Sequence, residues 1–142
     1  MQIKNKKNII VICLLNFFLF ISNLNAEEFN ISAKEIVVDK ANEIVIGKGS
    51  VQVEDSGGKI IYADKVIYEK LREFLLMEGN VKITDYEGNI LKTGKATYDK
   101  INEIIVTFGN TEISLKEGYN LNAKNITYNI QFKFLIFQKI IM

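Results

Sequence analysis

Hydrophobic positions in this chain fall into short alternating runs, not helical stripes. Val51-Gln52-Val53 and Val81-Lys82-Ile83 set apolar side chains two apart with a polar residue between them, the period of a β-strand with one buried face. Elsewhere both parities are apolar: Ile44-Val45-Ile46, Phe74-Leu75-Leu76, Ile104-Ile105-Val106 and Phe134-Leu135-Ile136. A strand with one wet face does not carry such trios. Both faces of these segments are therefore expected to be covered, either by protein on both sides or by protein on one side and an apolar ligand on the other. No window of helical length carries a capped apolar stripe, and the chain has no proline to interrupt long strands. The pattern predicts an all-β domain.

The runs recur every 30 residues. Rows starting at Ile31, Ile61, Leu91 and Leu121 align without a gap, the last row incomplete. One column holds Ala33, Ala63, Thr93 and Ala123, a second Val38, Tyr68, Tyr98 and Tyr128, a third Asp39, Glu69, Asp99 and Asn129, followed by Lys40, Lys70 and Lys100. Two glycine columns, Gly49/Gly79/Gly109 and Gly58/Gly88/Gly118, hold six of the nine glycines, more order than chance placement gives. Each row is then one unit that cannot bury its own apolar face and must stack on its neighbours.

Each row reads as two strands. The first ends at a Tyr-acid-Lys corner such as Tyr98-Asp99-Lys100, and the second restarts at the column Glu43, Glu73 and Glu103, a gap that suits a hairpin loop. The glycines at 58, 88 and 118 mark turns. Those at 49, 79 and 109 fall in mid-strand, where a repeated bulge is expected. The tyrosine column reads as a cross-strand ladder, each contact contributing about 0.2–1 kcal/mol. The acids beside it read as turn residues that hydrogen-bond the backbone just beyond them, with metal or substrate binding as the alternative.

The start of the chain has a different character. Lys4, Lys6 and Lys7 precede 13 residues, Ile9 to Ile21, that are apolar except for Asn16, the layout of an export signal. The run is shorter than the roughly 20 residues a membrane-spanning helix needs. Cleavage after Ala26 is expected, although Leu24 stands where a small residue is preferred. This divides the chain into a signal peptide at 1–26 and a β-domain at 27–142. Cys13, the single cysteine, lies inside the leader and lacks the small preceding residue of a lipidated cysteine. Without the leader, 15 basic side chains face 17 acidic ones, a net charge of −2, which gives nucleic-acid binding no support.

Little in the sequence points to catalysis. There is no histidine, no cysteine beyond the leader, no nucleophile elbow, no phosphate-binding glycine loop and no cluster of metal-ligand spacing. Asp39, Glu69 and Asp99 repeat one environment, whereas an acid–base pair needs two different environments at one place. Neither catalytic residues, nor a metal, nor a cofactor are expected. The fourth row stops at Leu135 to Met142 without its bulge glycine and turn. Phe134, Leu135, Ile136 and Phe137 would form an apolar edge open to a partner strand.

Ala63-Asp64-Lys65-Val66-Ile67-Tyr68 and Glu78-Gly79-Asn80-Val81-Lys82-Ile83 resemble the OstA-like family of lipopolysaccharide transport, a likeness that spans about 29 to 137. The resemblance implies a twisted β-jelly roll of antiparallel strands in the periplasm of a Gram-negative cell, with association with the outer membrane left open. It implies lipopolysaccharide as ligand and other jelly-roll proteins as partners, joined edge to edge by strand addition into a bridge. The abrupt end suggests the N-terminal part of the family's outer-membrane member, with a short bridge protein as the other reading. Acyl chains would lie against inward-facing apolar columns. The even-numbered set Val66, Tyr68, Phe74, Leu76, Tyr98, Ile104 and Val106 is chosen for this role, with Val81, Ile83 and Ile113 after the parity change at the bulge. Two rival readings stay open: a truncated structural or adaptor fragment that pairs through its edge strands without binding lipid, and a β-solenoid enzyme acting on polysaccharide.

Overall fold

The structure, a computed structural model, describes residues 29–130 and 134–137; the leader expected at 1–26, with Cys13, lies outside them. Ten antiparallel strands follow one another along the described chain: β1 (Asn30–Ser32), β2 (Glu35–Asp39), β3 (Ile44–Glu54), β4 (Ile60–Glu69), β5 (Phe74–Thr84), β6 (Ile90–Asp99), β7 (Ile104–Ser114), β8 (Asn120–Lys124), β9 (Ile126–Asn129) and β10 (Phe134–Phe137). Strands β3 to β7 pair in sequence order, β1 and β2 share one edge of β3, and β8 and β9 share the far edge of β7.

One device turns this meander into an enclosure. The register shifts between Lys48 and Val51, between Tyr62 and Lys65, between Glu78 and Val81, and between Thr93 and Lys95. These irregularities lie on one line across the sheet, and the breaks between β1 and β2 and between β8 and β9 continue it. The mid-strand glycines are the hinges, with φ of 74° at Gly49, 76° at Gly79 and 85° at Gly109. A bulge bends its strand, and bulges in register bend the whole sheet. Each long strand therefore runs up one wall, bends, and continues along a second wall that faces the first.

Because the bend inserts residues, the inward parity changes from one wall to the other. Wall one turns a row of Val45, Tyr68, Leu75, Tyr98, Ile105 and Tyr128 inward, and wall two a row of Ile31, Val53, Ile61, Ile83, Leu91, Ile113 and Leu121. Near the bend the interior becomes polar toward the C-terminal side. Thr107 and Thr111, both buried, join their hydroxyls at 2.8 Å, Thr111 reaches Thr93 at 3.2 Å, and the Ile126 N–H donates to Thr107 Oγ1 at 2.9 Å.

Local chemistry closes both ends of each hairpin. At the corners Asp39 accepts from the Ala41 and Asn42 N–H groups at 3.0 and 3.2 Å, and Asp99 from Asn102 N–H at 3.0 Å. The acid column is therefore turn chemistry at both places. Its middle member differs: Glu69 takes Arg72 at 2.9 Å over a 3₁₀ turn at Lys70–Arg72. Glu43, Glu73 and Glu103 adopt left-handed backbone at φ 53°, 46° and 53°. Their carbonyls accept the N–H of Lys70, Lys100 and Ile130 in turn, at 2.9, 3.1 and 2.9 Å, so each corner is tied to the next by its backbone.

Candidate apolar binding site

The space between the walls is closed over part of its length and open over the rest, and one column of residues decides which. This column stands one residue before the wall-two strand of each row: Phe29, Lys59, Asn89 and Tyr119. Phe29, 5 % exposed, reaches across to wall one. Its ring meets Tyr68 edge-on at 5.0 Å between centroids and Tyr98 at 6.0 Å, and the buried Lys100 places its ammonium 5.0 Å from the Phe29 ring. An aromatic edge against an aromatic face and a cation over a ring are both favourable arrangements, so this first rung is sealed.

The second rung is sealed by charge. Lys59, 6 % exposed, donates to Asp55 Oδ2 at 3.0 Å and to the Tyr98 hydroxyl at 2.7 Å, and stands 3.6 Å from Glu103. Tyr98 in turn donates to Glu103 Oε2 at 2.9 Å. A buried ammonium is tolerated only with such partners. Burial, and then the hydrogen bond to Glu103, push the Tyr98 hydroxyl far above its ordinary range, so it stays a neutral donor. The turn that carries Lys59 is set locally by Asp55, whose carboxylate also accepts the Lys59 N–H at 2.8 Å.

Among the described residues the third rung is left open. Asn89 bonds back to its own turn, to Asp85 Oδ2 at 2.8 Å, and accepts the Lys116 N–H at 3.0 Å. A cavity of about 230 Å³ follows, lined on its apolar side by Ile83, Leu91, Ile105, Ile113, Leu115 and Tyr128, with Lys59 at one boundary and Asp85, Glu87 and Glu117 at the rim. Ile90 and Ile130 complete the lining. Apolar walls with a few polar groups at the boundary are the composition of a small-molecule site.

The sequence-derived set divides between the two faces. Val66, Tyr68, Val81, Ile83, Tyr98 and Ile113 point into the interior and are buried, and of these Ile83 and Ile113 line the cavity. Phe74, Leu76, Ile104 and Val106 do not face inward. They lie half-buried on the outer face, where the Arg72 guanidinium sits 5.0 Å from the Phe74 ring, and Leu75, Met77, Ile105 and Thr107 hold the inward places. The reason is the corner. Asp99 pairs with Ile104 and Tyr98 with Ile105, so four residues separate the paired ends, and an even loop turns even numbers inward on one strand and odd numbers on the next. Starting from Tyr98, that count would have found Ile105. Lys59 and Asn89 carried no comparable signal, because their column holds four unlike residues.

At the ends of wall one lie two edges. Phe134 to Phe137 form β10, with Leu135 opposite Tyr128 and Phe137 opposite Ile126. At the other edge β2 leaves Ile36, Val37 and Val38 exposed.

No protein-family model matches the sequence, and no curated protein sequence matches it. Solved structures do. The crystal structure of LptH, the LptA-homologous periplasmic component of the conserved lipopolysaccharide transport device from Pseudomonas aeruginosa, superposes with a TM-score of 0.69 over 80 % of this chain and 83 % of that one, at 15 % identity. This chain has the LptH fold. The agreement with LptH is one of fold, and the low identity leaves the residues of the interior to be read from this chain alone.

Proposed function

We propose that this chain is a periplasmic module of lipopolysaccharide transport that shelters acyl chains between its two walls. The observation that carries the reading is the cavity at the third rung: aliphatic side chains from both walls line an opening that a packed core would fill. The likeness to LptH, itself a component of a lipopolysaccharide transport device, supports the choice of ligand. Shielding a methylene from water contributes about 0.8 kcal/mol, and sugars and phosphates would stay outside. The action is passive binding with no covalent step. Like domains would join edge to edge, for which the exposed apolar β2 edge at Ile36 to Val38 and the β10 edge are the natural surfaces.

Photo-crosslinking in cells tests this reading. A crosslinker at Leu91 or Ile113 is expected to capture lipopolysaccharide and one at Leu76 or Lys92 is not; equal capture at the four positions would refute it. A second reading, an adaptor that pairs through its edges and binds no lipid, is favoured by one observation, the packed first and second rungs. Native mass spectrometry separates the two, since an adaptor would form oligomers free of lipid.

A further inference from the structure

We propose that Lys59 is the floor of the cavity and sets the length of acyl chain that the interior accepts; this rests on reading the cavity as an acyl-chain site. Phe29 meets Tyr68, and Lys59 meets Tyr98, over the same interval of 39 residues. The corresponding pair one row further on is Asn89 and Tyr128, and both border the open cavity. Among the described residues the interior therefore has two closed rungs and one open rung, and Lys59 stands at the boundary between them.

At about 230 Å³ the cavity is smaller than the roughly 300–1,000 Å³ of a typical ligand site, a size that suits a single alkyl tail. A chain that enters past the rim slides along Ile113, Ile105 and Leu91 until it reaches Lys59. To go further it would have to displace the ammonium. That would strip Asp55, whose side chain is 4 % exposed, of its cation. An unpaired buried charge is far more costly than the burial of one more methylene is favourable. The chain stops there, and Phe29 blocks the next rung behind it.

Alkyl maltosides from octyl to hexadecyl are the probe, because an uncharged head avoids repulsion by Asp85, Glu87 and Glu117 at the rim. Each is titrated calorimetrically into the mature chain below its critical micelle concentration. Affinity is expected to rise about fourfold per methylene and then to level off once the tail meets Lys59. In the double variant Asp55→Asn with Lys59→Met, which removes the buried carboxylate with its cation and leaves the part-exposed Glu103 to the Tyr98 hydroxyl, the levelling moves to longer tails. In Lys59→Arg, which keeps the charge and adds bulk, it moves to shorter ones. An unchanged levelling point in either folded variant overturns the inference and leaves the acyl-chain site standing. Failure of the wild-type chain to bind any maltoside overturns both. Asn89→Phe, which would place at the third rung the residue that seals the first, is expected to abolish binding at every length with its melting temperature kept; undiminished binding would also overturn the inference.

Discussion

The Lys59 ammonium meets the Tyr98 hydroxyl at 2.7 Å across the interior, one row on from the place where Phe29 meets Tyr68 ring to ring. The two contacts are equivalent in position and unlike in chemistry. Stacking of rows builds the walls, and the column that varies from row to row decides whether the space between them is filled. Substituting one residue per row would therefore change whether that space is filled, with the strands themselves untouched.

Leu75 and Leu76 are neighbours on opposite faces, Leu75 fully buried and Leu76 half-buried. Truncating Leu75 to alanine should cost about 2–5 kcal/mol, in the range of core leucines. Leu76→Ala should cost less than half as much. Urea unfolding followed by circular dichroism measures both, and equal losses would mean that the assignment of the two faces is wrong.

Gly79 is held at a φ of 76°, and an added Cβ would run into the Asp64 side chain. Gly79→Ala thus combines a left-handed conformation with a steric clash. It should destabilise by at least about 1–3 kcal/mol. Gly94, whose added Cβ would meet nothing within 4 Å, is the control, and Gly94→Ala should be close to neutral by the same assay.

Glu78 stands between Lys95 at 2.9 Å and Lys65 at 3.4 Å on the outer face, and Lys95 first, then Lys65, hold its carboxyl below the ordinary 4.5. Asp39 and Asp99 are held below 3.8, chiefly by the side chains of Asn42 and Asn102. A depressed folded-state value stabilises the protein above the unfolded-state value and ceases to do so as the pH falls through the folded one. The thermal midpoint should therefore decline as the pH drops below 4.5. In Glu78→Gln this decline should be shallower. A parallel pH profile would show that the lysines contribute nothing to the titration of Glu78.

Asp99 accepts both the Asn102 N–H and its side-chain amide, at 3.0 and 2.8 Å. Asp99→Ala removes a turn acceptor and should cost about 0.5–1.5 kcal/mol. Asp99→Asn keeps an acceptor oxygen and should cost less. Lipid capture at Leu91 should survive both changes, and its loss in a folded Asp99→Asn protein would give this column a role beyond the corner.

Much of the fold could be read from the sequence because its causes are local and repeated. Gly58, Gly88 and Gly118 mark turns wherever they occur, and Gly49, Gly79 and Gly109 announced a bend that the register shifts now place on one line. The inward parity was legible only as far as the first hairpin corner, where keeping to even numbers chose Phe74 and Leu76 in place of Leu75 and Met77. The cavity was not legible, since it arises from what Asn89 does not do. Its amide could have bridged the walls, and its preference for Asp85 is decided by distances that no column displays.

The bulges on one line also govern how the molecule can change length. Adding a row of 30 residues would add one more pair of strands whose bends fall on the same line, so the cross-section would stay constant while the enclosure grew. An insertion of any other size within a wall strand would throw its bend off that line and open a seam. The protein is in this sense a track laid in sections of fixed gauge, extended or shortened a whole section at a time.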